Sequence, residues 1–110
     1  MKVEQKGHTT IIKDTKGDFS NFIAKVTEQF NTFKEKNLIL DVSNDNTIEI
    51  ENFKIVKDLA KKHKKERKTL VFVAENIDFN RIPDYMVIVP TLLEAHDIIE
   101  MEEIERDLGF

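Results

Sequence analysis

The residues that could carry chemistry in this chain of 110 residues are few and scattered. The three histidines, His8, His63 and His96, are each isolated and form no zinc-binding cluster. Ser43 lacks the glycine-rich elbow that exposes a nucleophilic serine in hydrolases. The chain contains no cysteine, which excludes thiol catalysis, disulfides and Cys-based metal sites. We therefore predict no catalytic residue, no metal and no cofactor, and we expect that the protein is not an enzyme.

Asp41 lies near the end of the apolar run at residues 38–43, at the position where response-regulator receivers carry their phosphorylated aspartate. Phosphotransfer at such a site also needs acidic metal ligands after the first strand and a lysine at the end of the last one. Lys6-Gly7 and Val89-Pro90 stand at these places instead. Without metal-binding carboxylates, nothing neutralises the charge that develops during transfer. The sequence therefore favours a structural role for Asp41, the capping of backbone N–H groups where a strand meets its loop.

Charge is distributed unevenly along the chain, although the net charge is only −4. Residues 61–68 form a basic run in which six residues are positive and one is negative. One interpretation is contact with RNA or an acidic protein surface. The other is the solvated end of a helix, whose dipole favours cations there. The negative net charge and the absence of interleaved aromatic residues favour the second interpretation and argue against nucleic acid as the main partner.

The opposite charge is concentrated near the C-terminus. Residues 94–107 include seven acidic residues, against which Arg106 is the one cation. Pairing of this segment with the basic run of another copy predicts a weak homodimer held together by electrostatic attraction.

The hydrophobic pattern predicts one α/β domain over residues 1–110. Strands are expected at residues 3–6, 9–13, 38–43, 69–74 and 85–89, and helices along the stripe 19–33, over residues 51–67 and from residue 91 onward. Helices that alternate with continuous apolar strands indicate a mostly parallel central sheet of about five strands, with the helices packed on it. Thr91 and Glu94 have the spacing of a capping box at the start of the last helix.

Two segments carry a resemblance to a known family. The run at residues 38–43 is followed by the stretch at residues 48–53, and a late strand leads into residues 90–95, where Thr91 caps the final helix. Both features resemble the STAS domain of anti-sigma factor antagonists, and the order of elements is similar over nearly the whole chain. The resemblance implies a STAS-like fold and a bacterial regulatory module that binds another protein, such as an anti-sigma-factor-like kinase.

The phosphorylation switch of that family has no counterpart here. An Asp-Ser-Ser-Gly motif normally begins the helix after the central strand, whereas this chain has Glu49, Ile50, Glu51 and Asn52. Glu51 stands where the phosphorylated serine would lie, and it either imitates the phosphoserine weakly, with about one negative charge against about two, or marks a lost switch. We predict that these four residues form the partner-binding site. The structural alternative is that the two glutamates only favour the positive end of a helix.

The end of the chain is also reminiscent of short STAS-like bacterial proteins that are encoded beside ribonuclease Z. The histidine-rich zinc cluster of that enzyme is absent, so any link is with a neighbour or partner. An RNA-associated accessory protein that uses residues 61–68 is therefore the alternative function. Because no apolar run is long enough for a signal peptide or a membrane span, the expected location is the cytoplasm.

Overall fold

Five strands form one sheet in the order in which they occur along the chain. The computed structural model describes residues 1–109. Its strands are β1 (Lys2–Lys6), β2 (Thr9–Lys13), β3 (Asn37–Asp41), β4 (Leu70–Val73) and β5 (Ile88–Val89). β1 and β2 form an antiparallel hairpin, because a tight turn with a positive φ at Gly7 joins them. The other neighbouring strands are parallel, as expected for strands separated by helical crossovers.

Helices connect the parallel strands. They are α1 (Phe19–Glu28), α2 (Phe30–Phe33), α3 (Lys57–Lys65) and α4 (Leu92–Asp107), with a first 3₁₀ helix (Ile50–Val56) before α3 and a second (Phe79–Arg81) before β5. The stripe predicted as one helix over residues 19–33 is interrupted at Gln29, whose ψ of 16° leaves the helical range. The helix predicted over residues 51–67 begins with 3₁₀ geometry and ends at Lys65.

β3 lies at the centre of the sheet, and all five of its residues are buried. Leu38 and Leu40 point toward the face that α1 and α3 cover, whereas Ile39 points toward α4. This alternation follows from the period of two in a strand. The continuous apolar run at residues 38–43 therefore forms a strand that is buried on both faces, as the sequence predicted.

Three aromatic side chains contact one another within the larger core, on the face of the sheet that α1 and α3 cover. Phe53 of the first 3₁₀ helix contacts Phe19 edge-on, with ring centroids 4.9 Å apart, and Phe72 of β4 at 5.2 Å. Edge-to-face contact suits the ring quadrupoles and adds stability beyond the buried area. The first 3₁₀ helix is therefore anchored directly to the sheet.

α4 alone covers the other face of the sheet. Ala95 and Ile99 pack on Ile39 and two valines of β4. Thr91 caps the helix as predicted: its Oγ1 accepts from the Glu94 N–H at 3.2 Å and lies 2.9 Å from the Glu94 carboxylate.

The predicted fold class is confirmed at the level of architecture. The sheet has five strands, is mostly parallel and carries helices on both faces. The last strand is shorter than predicted, covering two residues rather than residues 85–89. Over residues 1–109, none of the helices combines the length and apolar character needed to cross a bilayer.

Candidate functional site

Local hydrogen bonds shape the loop that leads from β3 to the predicted site. The carboxylate of Asp41 accepts from the backbone N–H of Ser43 at 3.0 Å and from its hydroxyl at 2.6 Å. Asp45 binds Thr47 in the same way, at 3.0 and 2.6 Å. Each aspartate therefore closes a turn two residues ahead of itself. The predicted capping role of Asp41 is confirmed. These hydrogen bonds also order the loop that precedes the predicted site.

Apolar residues spaced by three create the first 3₁₀ helix. Residues i and i+3 eclipse each other in this geometry, so Ile50, Phe53 and Val56 form one ridge that faces the core. The backbone N–H of Glu49 donates to the amide oxygen of Asn52 at 2.7 Å, which closes the first turn. The spacing of three fits 3₁₀ geometry, but i and i+3 also share one face of an α-helix, so the sequence predicted a helix here without its type.

The predicted site residues divide between the inside and the outside of the 3₁₀ helix. Glu49, Glu51 and Asn52 are exposed, whereas Ile50 is half-buried and packs against the core. Ile55, which the sequence analysis did not single out, is 53% exposed and eclipses Asn52 on the outer ridge. Ile55 therefore exposes more apolar surface to solvent than Ile50 does.

Glu51 is paired within the molecule. Its carboxylate accepts a hydrogen bond of 2.7 Å from the guanidinium of Arg81, in the second 3₁₀ helix. A hydrogen bond from its own backbone N–H, followed by the bond from Arg81, lowers the pKa of Glu51. The negative charge is thus retained and partly balanced. Arg81 was missed at the sequence level because it lies thirty positions further along the chain.

A second contact with the chain before β5 comes from Lys57, the first residue of α3. Lys57 stands six residues after Glu51, and its ammonium group lies 5.7 Å from the centre of the Tyr85 ring. Glu51 in the 3₁₀ helix and Lys57 at the start of α3 therefore both contact the segment 81–85. We call Glu49, Glu51, Asn52, Ile55 and Arg81 the recognition surface.

An open depression adjoins the recognition surface. It has a volume of about 480 Å³ and lies between the start of α1 and the loop before the 3₁₀ helix, with Asn52 in its wall. The lining also contains Gly17, Asp18, Phe19, Ser20, Asp45, Thr47 and Ile48. The edge of the molecule near residue 49 is therefore accessible, and β3 pairs with β4 beneath it in parallel register.

The histidines lie apart from one another. His63 is fully buried, and its Nε2 donates to the backbone carbonyl of Lys36 at 2.8 Å, since a carbonyl oxygen only accepts. Burial lowers the pKa of His63 and so favours the neutral ring. His8 is exposed and His96 half-buried. In the part of the chain that the structure describes, no three acidic, histidine or cysteine side chains form a group that could hold a metal ion.

The fold and the recognition surface define an α/β domain with an open loop-and-3₁₀ edge. No protein-family model matches this chain, and the search of curated proteins gives no match. The resemblance to STAS domains therefore stays a prediction.

Proposed function

We propose that this chain is a non-catalytic, STAS-like regulatory module that binds another protein through the recognition surface. The observation that carries the proposal is the division of the first 3₁₀ helix into a buried ridge and an exposed one. The buried ridge, anchored by Phe53, fixes the backbone. The exposed ridge then presents Asn52 and Ile55 in a defined geometry, so little conformational entropy is lost on binding.

The chemistry of the recognition surface suits a protein partner. Ile55 supplies an apolar contact, and burial of its exposed half contributes roughly 1 kcal/mol. Glu51 and Arg81 add both signs of charge to the same surface. Such charges orient a partner and discriminate against the wrong one more than they increase affinity.

The proposed partner is a regulatory protein such as an anti-sigma-factor-like kinase, encountered in the cytoplasm. Residues 49–52 contain no hydroxyl group, so a kinase partner has no phosphate acceptor at the usual position of this site. Glu51 places a permanent negative charge there, which Arg81 partly balances. We therefore propose constitutive binding rather than binding that phosphorylation reverses.

Affinity purification from the native cell tests this function. We expect the wild-type protein to retain a defined partner, and Glu51→Lys and Ile55→Lys to lose it. Leu93→Lys is the matched control, because Leu93 is an exposed aliphatic residue on α4, on the other face of the sheet. Retention of the same partner by all four proteins contradicts the proposed surface, as does loss of the partner in the Leu93 variant alone. The purified partner is then titrated against each variant to confirm direct binding.

The RNA-associated alternative has one supporting observation, the cations of residues 61–68 that remain unpaired among the described residues. It predicts retention of RNA with a steep salt dependence. Substitution of Lys61, Lys62, Lys64 and Lys65 by alanine is expected to abolish that retention if this function holds.

The weak homodimer also stays a prediction. Lys64 and Lys68 of the basic run and Glu102 of the acidic segment line one cleft of the same chain, but Glu102 forms its ion pair with Arg106. Sedimentation at low and high salt decides the question. A single monomeric species under both conditions removes the homodimer.

A further inference from the structure

A cleft with a strong excess of positive charge lies at the opposite end of the sheet from the recognition surface. It has a volume of about 430 Å³ and opens at the amino end of β4, between the end of α3, the segment 84–87 and the last turns of α4. The charged residues of its lining are Lys61, Lys64, Arg67, Lys68, Arg106, Asp84 and Glu102. Five cations therefore face two carboxylates.

Among the residues that the structure describes, the cations contributed by α3 and by the residues that follow it have no ionic partner. The ion pairs found within residues 1–109 are Lys2 with Glu4, Arg81 with Glu51, and Arg106 with Glu102. The C-terminal dipole of α3 accounts for the presence of cations near its end. It does not account for the convergence of a fifth cation from α4 on the same cleft.

Arg106 is held in the cleft by uncharged partners. Its guanidinium donates to the Thr69 hydroxyl at 2.9 Å and to the Asn37 amide oxygen at 3.2 Å. Thr69 and Asn37 are both buried, and the carboxylate of Glu102 is 3.9 Å away. Arg106 is therefore fixed in orientation, and Glu102, which also accepts from the Thr69 hydroxyl at 2.8 Å, compensates part of its charge.

Arg67 occupies a backbone position that favours glycine. Its φ is +59°, its N–H donates to the carbonyl of Lys64 at 2.9 Å, and the N–H of Lys68 donates to the carbonyl of His63 at 3.3 Å. These two bonds form a Schellman motif, in which glycine is usual at the left-handed residue. Arginine there costs about 1 kcal/mol relative to glycine. One of the five cations of the cleft, Arg67, is thus held at a strained backbone position.

We propose that this cleft binds a small molecule that carries a phosphate monoester or diphosphate group. Lysines act as mobile point charges for phosphate, and a fixed arginine adds directed donors. The volume lies within the usual range for small-molecule sites. Tyr85 lines the cleft beside the cations and offers an aromatic wall to the remainder of the ligand.

A small ligand fits the charge distribution better than RNA does. Lys62 and Lys65 belong to the same basic run but do not line the cleft, so the cations converge on one point instead of following a strand. The whole chain has a net charge of −4 although it includes the basic run, so the remainder of the molecule is acidic and repels an extended polyanion.

Titration of the isotope-labelled protein with inorganic pyrophosphate, followed by amide chemical shifts, tests the proposal. We expect saturable shifts confined to residues 61–70, 84–87 and 102–106. Arg67→Gly and Lys64→Gln are expected to raise the dissociation constant about fivefold or more, equivalent to about 1 kcal/mol each. Lys6→Gln, in the exposed edge strand β1, is the matched control and leaves the dissociation constant unchanged.

Arg67→Gly separates binding from folding, because glycine relieves the left-handed strain. We expect this variant to melt at or above the temperature of the wild type while it binds pyrophosphate more weakly. Shifts that do not saturate, shifts that spread equally over β1, or an unchanged dissociation constant for both cleft variants overturn the proposal. Tighter binding of a single-stranded RNA oligonucleotide than of pyrophosphate at the same residues also overturns it, in favour of the RNA-associated role.

Discussion

The carboxylate of Glu51 and the guanidinium of Arg81 form an ion pair of 2.7 Å that joins the two 3₁₀ helices. The sequence predicted Glu51 as a partner-binding residue that imitates a phosphoserine weakly or marks a lost switch, with attraction to the positive end of a helix as the structural alternative. In the structure, Glu51 is one half of a surface pair whose other half lies in the irregular segment before β5. The recognition surface therefore carries a pair of opposite charges, which the partner that we propose would meet. This arrangement has consequences that measurement can check.

The pKa of Glu51 is expected to rise when Arg81 is replaced by glutamine. It should nevertheless stay below the usual value for glutamate, because the hydrogen bond from the Glu51 backbone N–H is the larger cause of the lowering and remains in place. Carbon-detected NMR titration of the side-chain carboxyl measures this directly. An unchanged pKa in the variant shows that the ion pair does not persist in solution. Lys54→Gln is a suitable control, since Lys54 has only a minor influence on Glu51.

Stability is expected to fall as the pH drops below about 6.5, the usual pKa of histidine. Burial lowers the pKa of His63 in the folded protein, so the unfolded chain binds the proton more readily. Unfolding therefore becomes easier on acidification, with a slope of at most about 1.4 kcal/mol per pH unit from this one group. Urea unfolding of the wild type and of His63→Gln across this range measures the slope. Equal slopes in both proteins rule out His63 as its source.

Replacement of Asp41 by alanine is expected to lower the free energy of unfolding by about 1–2 kcal/mol. The change removes the acceptor of two hydrogen bonds from Ser43 and leaves the N–H of that residue without its partner. Asp41→Asn keeps an acceptor oxygen and should cost less. Urea unfolding of both variants tests this order. A larger loss in the asparagine variant contradicts the capping role.

Replacement of Phe53 by alanine is expected to cost about 3–5 kcal/mol, because it opens a cavity between α1 and β4. Phe53 is fully buried and contacts the rings of Phe19 and Phe72. Phe79, which is 42% exposed, is the matched control, and its replacement by alanine should cost about 1 kcal/mol or less. Denaturant unfolding compares the two. Similar losses at both positions mean that the first 3₁₀ helix is not anchored as described.

Some elements follow from local sequence alone. The apolar run that became β3 contains enough hydrophobic side chains for both faces of a strand, so its burial was predictable. The capping groups Asp41 and Thr91 were also predictable, since each binds backbone within three residues of itself. In these cases the chain segment that forms the interaction is short enough to be recognised in the sequence itself.

The tertiary structure decided the features on which the two proposals depend. Glu51 pairs with Arg81, and Arg106 joins the cations of residues 61–68, because folding brings together segments that are far apart in sequence. Whether Ile50 or Ile55 faces outward depended on the type of the helix. A spacing of three residues indicates a 3₁₀ helix only when the position of the sheet beneath the segment is known. Hydrophobic periodicity and capping act over a few residues, and they therefore specify elements. The position of a charge beside another charge depends on how those elements pack.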